Sequence, residues 1–242
     1  MKVLFEATVA KDSNYPDSVE DVYSISKKRS SLRIALSDGA SESFDSKKWA
    51  KILVSCVLEV PQFNGKSLDK ALEKYKQISD LSGLSWSKRN AFDRGSFATL
   101  LGVSISKKKN ELTLFAVGDS VVVLLHPNGR VETYPYTQAS EFRRRPELFS
   151  TIVEHNAFFN SDNAASRFRK TYKNIIKKGT VLMCMTDAIA EWAFHSAEMG
   201  IPVWSNLASI RQKQKLEDLV FKKRNSGEMR CDDSTLLIIS LN

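Results

Sequence analysis

Leu32-Arg33-Ile34-Ala35-Leu36-Ser37-Asp38-Gly39-Ala40-Ser41-Glu42-Ser43-Phe44 runs from a mostly apolar strand into an aspartate, a glycine and small polar residues, with a helix beyond. A short apolar run bounded by turn residues reads as a buried strand. Asp38 stands at its tip, and Gly39 lets the backbone come close. A carboxylate so placed suits a hard metal ion. The expectation is that Asp38 lies at the centre of a divalent metal site assembled from both ends of the chain.

Working outward, strands are predicted over 3–9 and 20–26, separated by a polar loop over 11–18 and followed by a basic turn over 27–31. After the quoted stretch, Asp45 or Ser46 is placed to cap a helix. Trp49, Ile52, Leu53, Cys56, Val57 and Val60 recur at helical spacing until Pro61 and Gly65 break the pattern. A second helix from Ser67 puts Leu68, Ala71, Leu72, Tyr75 and Ile78 on one face. Strands follow over 96–105, 111–117, 120–126 and 129–134. Their short connections, Asn128-Gly129 among them, make them antiparallel. Residues 137–163 are polar and irregular. A strand over 180–185 leads to Asp187, where a helix carrying Ile189, Ala190, Trp192 and Ala193 begins. A helical segment with Leu207, Ile210, Leu219 and Val220 follows Pro202, and an apolar strand over 234–241 closes the chain. The pattern implies an α+β fold: an antiparallel β-sandwich of two sheets flanked by α-helical layers, as one domain over residues 1–242.

Bulk properties narrow the class. With 242 residues, 42% hydrophobic and 10% aromatic, the chain is long enough to bury a sizeable core. The N-terminus lacks the shape of a signal peptide, and no stretch approaches the ~18 consecutive apolar residues of a membrane span. Cys56, Cys184 and Cys231 are far apart and odd in number, which argues against a disulfide framework and for a reducing cytoplasm. They form no CxxC pair, so a zinc–thiolate site is not expected. The net charge is +8, with basic runs at 27–29, 107–109, 143–145, 177–178 and 222–224. Most fall at turns and lack interleaved aromatics to stack bases, which argues against a nucleic-acid partner.

The acids are the informative pattern. Asp38 and Asp187 each lie just after an apolar strand, Asp232 lies just before one, and Glu20-Asp21 opens another. In an antiparallel sandwich the end of one strand and the start of its neighbour share an edge, so the four stretches are placed to meet on one rim. Carboxylates so packed repel, and divalent cations remove that penalty. All-oxygen ligands select Mg²⁺ or Mn²⁺ over zinc.

Six short motifs occur in a telling order: Glu20-Asp21, Ser37-Asp38-Gly39, Gly95-Ser96-Phe97-Ala98-Thr99, Val117-Gly118-Asp119-Ser120, Thr186-Asp187 and Asp232-Asp233-Ser234-Thr235. In this the chain resembles the metal-dependent protein phosphatases of the type 2C class, over essentially its whole length. The resemblance implies a two-metal site, with two or more Mn²⁺ or Mg²⁺ ions, that hydrolyses phosphoserine and phosphothreonine by attack of a metal-bridging hydroxide. It also implies residue roles. Asp38 would bridge both metals and Gly39 would offer its carbonyl to one. Asp187 and Asp232 would hold the other, and Glu20 and Asp21 would serve the second, partly through waters. Asp119 would support the site without being a principal ligand. Asp233 competes with Asp232, but the family's pattern puts the ligand first in the pair. The partner implied is a phosphorylated protein, with a serine/threonine kinase working in opposition, as in signal transduction.

Departures from the pattern bear on phosphate handling. Ala40 stands where some relatives have a histidine able to protonate the leaving group, and Ala188 where glycine is usual. Val19 replaces an asparagine common in bacterial relatives. No arginine lies shortly before Glu20; Lys11, Arg33 and Arg94 are the substitutes in view. These changes keep open a pseudophosphatase, or a phosphoprotein-binding module with the same fold and little turnover. His126, His155 and His195 lie in unrelated contexts and read as surface or satisfied histidines. Trp49, Trp86, Trp192 and Trp204 read as packing residues.

Overall fold

The computed structural model describes residues 1–41, 43–78, 83, 85–159 and 164–241. In chain order it forms β1 (Lys2–Val9), β2 (Val22–Lys28), β3 (Ser31–Ser37), α1 (Ser46–Glu59), α2 (Gly65–Ile78), α3 (Trp86–Asp93), β4 (Phe97–Ala98), β5 (Leu100–Ser106), β6 (Glu111–Val117), β7 (Val121–Leu125) and β8 (Val131–Tyr134). Then come β9 (Phe149–Ser150), α4 (Ala164–Arg167), β10 (Arg169–Lys173), β11 (Val181–Met185), α5 (Asp187–Glu198), α6 (Val203–Ala208), α7 (Lys213–Asn225) and β12 (Ser234–Ser240).

The main strands make two five-stranded sheets, β1-β12-β11-β7-β8 and β10-β6-β5-β3-β2, and every pairing in them is antiparallel. Side chains alternate across each strand, and here both faces are apolar. In β12, Leu237 and Ile239 face the other sheet with Leu182, Cys184, Val122, Leu124, Ile34, Leu36, Leu101 and Val103. Leu236 and Ile238 face the opposite way, with Val121, Val123, Met183 and Met185, into the layer built by α5, α6 and α7. The outer face of the second sheet gives Ala35, Leu100, Phe115 and Val117 to α1 and α2. This is the expected sandwich between helical layers, and double burial explains why its strands read as continuous apolar runs.

Local expectations are refined by tertiary contacts. The predicted strand over 96–105 is interrupted at Thr99, whose amide donates to the Asp38 carbonyl at 2.9 Å. Asp45 is the N-cap of α1, but in a left-handed conformation without a side-chain cap bond; its carboxylate pairs with Lys48 instead. Residues 137–159 contain β9 and two 3-10 turns. The edge strand β10 is polar and basic, which hid it from a hydrophobic reading. Trp49 and Trp192 are buried and Trp204 packs on Phe194 at 5.2 Å, but Trp86 is 80% exposed and corrects the expectation for that residue. The part of 137–163 from 160 on lies outside the described residues. Among the described residues no helix is long and apolar enough to cross a membrane.

Candidate active site

Strand register decides what meets at the rim. Val22 pairs with Ser37, so Asp21 and Asp38 follow as the next step across β2 and β3. Leu100 pairs with Val117, so Thr99 and the Gly118-Asp119 turn are neighbours. Met185 pairs with Leu236, which sets Thr186 and Asp187 beside Thr235 and the Asp232-Asp233 turn. Asp38, Gly39, Asp119, Asp187 and Asp232 thereby line one cleft of about 150 Å³, with Ala40, Ser41, Thr99, Pro146 and Leu148.

Each acid has its own support. The Asp38 amide donates to Thr99 Oγ1 at 2.9 Å, and Thr99 Oγ1 lies 3.2 Å from Ser120 Oγ. Asp21 is buried beneath the cleft: its Oδ2 accepts from Thr235 Oγ1 at 2.6 Å and Thr186 Oγ1 at 3.0 Å. Its Oδ1 is buried without a hydrogen-bond partner, as is Asp187 Oδ1. Asp233 accepts the amides of Lys11 at 2.8 Å and Glu20 at 2.7 Å, so this acid is a structural clasp, while Asp232 faces the cleft. From α7, Arg224 donates to the Ala10 carbonyl at 2.8 Å, to Ser234 Oγ at 3.0 Å and to the Asp232 carbonyl, which buttresses the acidic turn.

Glu20 points elsewhere. Its carboxylate accepts from Lys11 Nζ at 2.6 Å and Ser46 Oγ at 2.5 Å. Lys11 also donates to Ser41 Oγ at 2.7 Å, so its ammonium sits at the cleft mouth already engaged. Arg33 is no substitute phosphate grip: it donates to the carbonyls of Val57 at 2.5 Å, Leu58 at 2.9 Å and Val60, at the end of α1. A cation that sequence reasoning missed is Arg230, whose guanidinium pairs with Asp187 Oδ2 and stands 4.0 Å from Glu191. Nothing in its surroundings in the chain signals this role.

Burial dominates the electrostatics. It pushes Asp21 up to about 7, and Asp233 and Asp232 add to the shift against the pull of the two threonine hydroxyls. Burial, then the charges of Asp21, Asp119 and Asp232, hold Asp38 well above the usual carboxylate range. Asp119 is raised by burial despite nearby Arg230. Among the described residues, no three Asp, Glu, His or Cys side chains stand close enough to hold an ion in this arrangement. The donor chemistry nonetheless fits a divalent cation: oxygens only, mutually repelling, with an orphaned oxygen on Asp187 beside the cleft.

Residues 9–220 match the protein phosphatase 2C family model, and the chain belongs to that family. Several solved structures share its fold. The catalytic domain of the serine/threonine protein phosphatase PstP, in complex with two manganese ions, is 15% identical over 98% of this chain and 97% of that one, at a TM-score of 0.55. A serine/threonine phosphatase of S. agalactiae is 12% identical over 96% and 97%, at 0.56. RsbX in complex with magnesium is 13% identical over 96% and 92%, at 0.51. No curated protein matches the chain.

Proposed function

We propose that this chain is a Mg²⁺- or Mn²⁺-dependent phosphatase of phosphoserine and phosphothreonine in proteins. The observation that carries the reading is the gathering of Asp38, Asp119, Asp187 and Asp232 on one cleft with buried Asp21 beneath. Asp38, Asp187, Asp232 and the Gly39 carbonyl would hold the cations, with Asp21 in support, while the Glu20 carboxylate stays with Lys11 and Ser46. Such cations, when bound, activate a water and neutralise phosphoryl oxygens. The chain's own part is positional: Thr186 and Thr235 fix Asp21, Thr99 fixes the Asp38 backbone, and Arg224 fixes the Asp232 turn. Ala40 has no proton to donate, so the leaving oxygen takes its proton from solvent or another side chain. The magnesium and manganese complexes of the related folds support the choice of ion. In this reading the chain acts as one unit over 1–242 in the cytoplasm, against a serine/threonine kinase in signalling; its free cysteines suit that reducing compartment.

A second reading, a phosphoprotein-binding pseudophosphatase, draws on the Arg230 guanidinium lying on Asp187. Hydrolysis of p-nitrophenyl phosphate decides between them. The enzyme is expected to require Mn²⁺ or Mg²⁺ and to lose at least ~10²-fold activity in Asp38→Asn. Phosphopeptide binding with no turnover at saturating metal sinks the enzyme reading.

A further inference from the structure

We propose that a second pocket, beside the carboxylate cleft, receives an acidic side chain adjacent in sequence to the phosphorylated residue of the substrate. This deepens the phosphatase reading and rests on it. The pocket, of about 570 Å³, lies between the end of α3 and residues 145–155. It shares Ala40 and Leu148 with the cleft, so the two are continuous. At their boundary Ala40 presents only a methyl group. The Ala40 amide donates to the Phe97 carbonyl at 2.9 Å, which ties the pocket wall to the Asp38 loop.

The lining has a clear charge. Two arginines, Arg94 and Arg145, line it with a single acid, Asp93, and His155 adds a polar ring. Arg94 and Arg145 are exposed, and neither makes an ion pair among the described residues. Arg33, Arg169 and Arg224 are engaged with carbonyls and Arg167 and Arg230 with carboxylates, while Arg29, Arg89, Arg143 and Arg144 are, like this pair, exposed without an ion pair among the described residues but line no pocket with it. Two uncommitted guanidinium groups at one pocket complement an anion. The wall is apolar where Phe97 stacks on His155, with ring centroids 5.4 Å apart, and along Leu148. A glutamate or aspartate matches both features, because its methylenes cover the apolar wall while its carboxylate meets the guanidinium groups. With cations held by its carboxylates, the neighbouring cleft would favour the doubly charged phosphate, which leaves the singly charged acid to this pocket.

The test uses three fluorescein-labelled phosphothreonine peptides that differ only in having glutamate, glutamine or lysine on both sides of the phosphorylated residue. With Mn²⁺, the chain is expected to favour the glutamate peptide over the glutamine peptide by about 5- to 10-fold in kcat/KM, expressed in KM, with lysine last. In Arg94→Glu/Arg145→Glu the order inverts, and lysine comes first; that gain also shows the variant to be folded. Arg94→Gln/Arg145→Gln levels the preference. Equal values for the three peptides, or an unchanged order in the charge-reversed chain, overturn the proposal. Fluorescence anisotropy of the same peptides in EDTA reads the preference without turnover. If p-nitrophenyl phosphate and all three peptides go unhydrolysed, the phosphatase reading falls, while the anisotropy order still decides the pocket.

Discussion

Gly39 is a glycine because of its neighbour. A Cβ there would lie 2.9 Å from the carbonyl carbon and Cβ of Ser46, at the start of α1. Gly118 is constrained twice, by a φ of 103° and by a virtual Cβ 2.6 Å from Thr99. The sequence marks both positions as backbone turning points; only packing shows what presses on them. The same holds for Asp232 and Asp233, which look interchangeable in the chain. Two amides claim Asp233, and the cleft takes Asp232. Arg230 is the residue with most to reveal. Its guanidinium competes for the Asp187 carboxylate, so Arg230→Gln is expected to tighten Mn²⁺ binding about 3- to 10-fold by calorimetry. Unchanged metal affinity would show that the pair yields to the cation without cost.

The first helix, α1, is the element that couples the rim to the core. Trp49 is fully buried, and its Nε1 donates to the Phe149 carbonyl at 2.8 Å. This bond links α1 to the segment that carries Leu148 and the cleft wall. Trp49→Ala is expected to cost about 3–5 kcal/mol in urea unfolding, since it opens a large cavity and orphans a carbonyl. A loss below about 1 kcal/mol would mean that the site collapses to fill the space. Arg33 stands at the other end of the helix, where its guanidinium satisfies carbonyls that have no intrahelical partner. The helical spacing of apolar residues made α1 and α2 legible. An arginine in a strand gives no hint that it will cap a helix 24 to 27 residues later. The basic edge strand β10 and exposed Trp86 were illegible for a related reason: edges and surfaces do not impose a hydrophobic period.

At the scale of the molecule, the two sheets bring carboxylates from residues 21 to 232 onto one rim, and the fold holds them against their repulsion. Asp21, ordinarily at 3.8, sits at about 7 in the folded chain. The folded state then binds its proton more tightly than the unfolded state, so stability falls as pH rises through that interval. In EDTA the melting temperature should be higher near pH ~6 than near pH ~8. In the proposed reading, added Mn²⁺ should raise it more at the higher pH, because cation and proton would then compete for the rim's carboxylates. Differential scanning fluorimetry checks both; an equal Mn²⁺ shift at the two pH values would show that the cluster is not the ion's site.

What the amino-acid sequence determined by itself is the set of elements and the places of the acids. Apolar period separates strand from helix locally, and Asp38, Asp187 and Asp232 are visible at strand ends without any knowledge of contacts. The order of those motifs is enough to reveal the family. Only the tertiary structure decided which oxygens meet. It turned Glu20 toward Lys11 and Ser46, closed Asp233 on backbone amides, set Arg230 on Asp187 and left Arg94 and Arg145 at a pocket beside the cleft. The physical reason is range. Propensity and periodicity act over a few residues, whereas a side chain's partner is set by strand register and sheet packing across the whole chain.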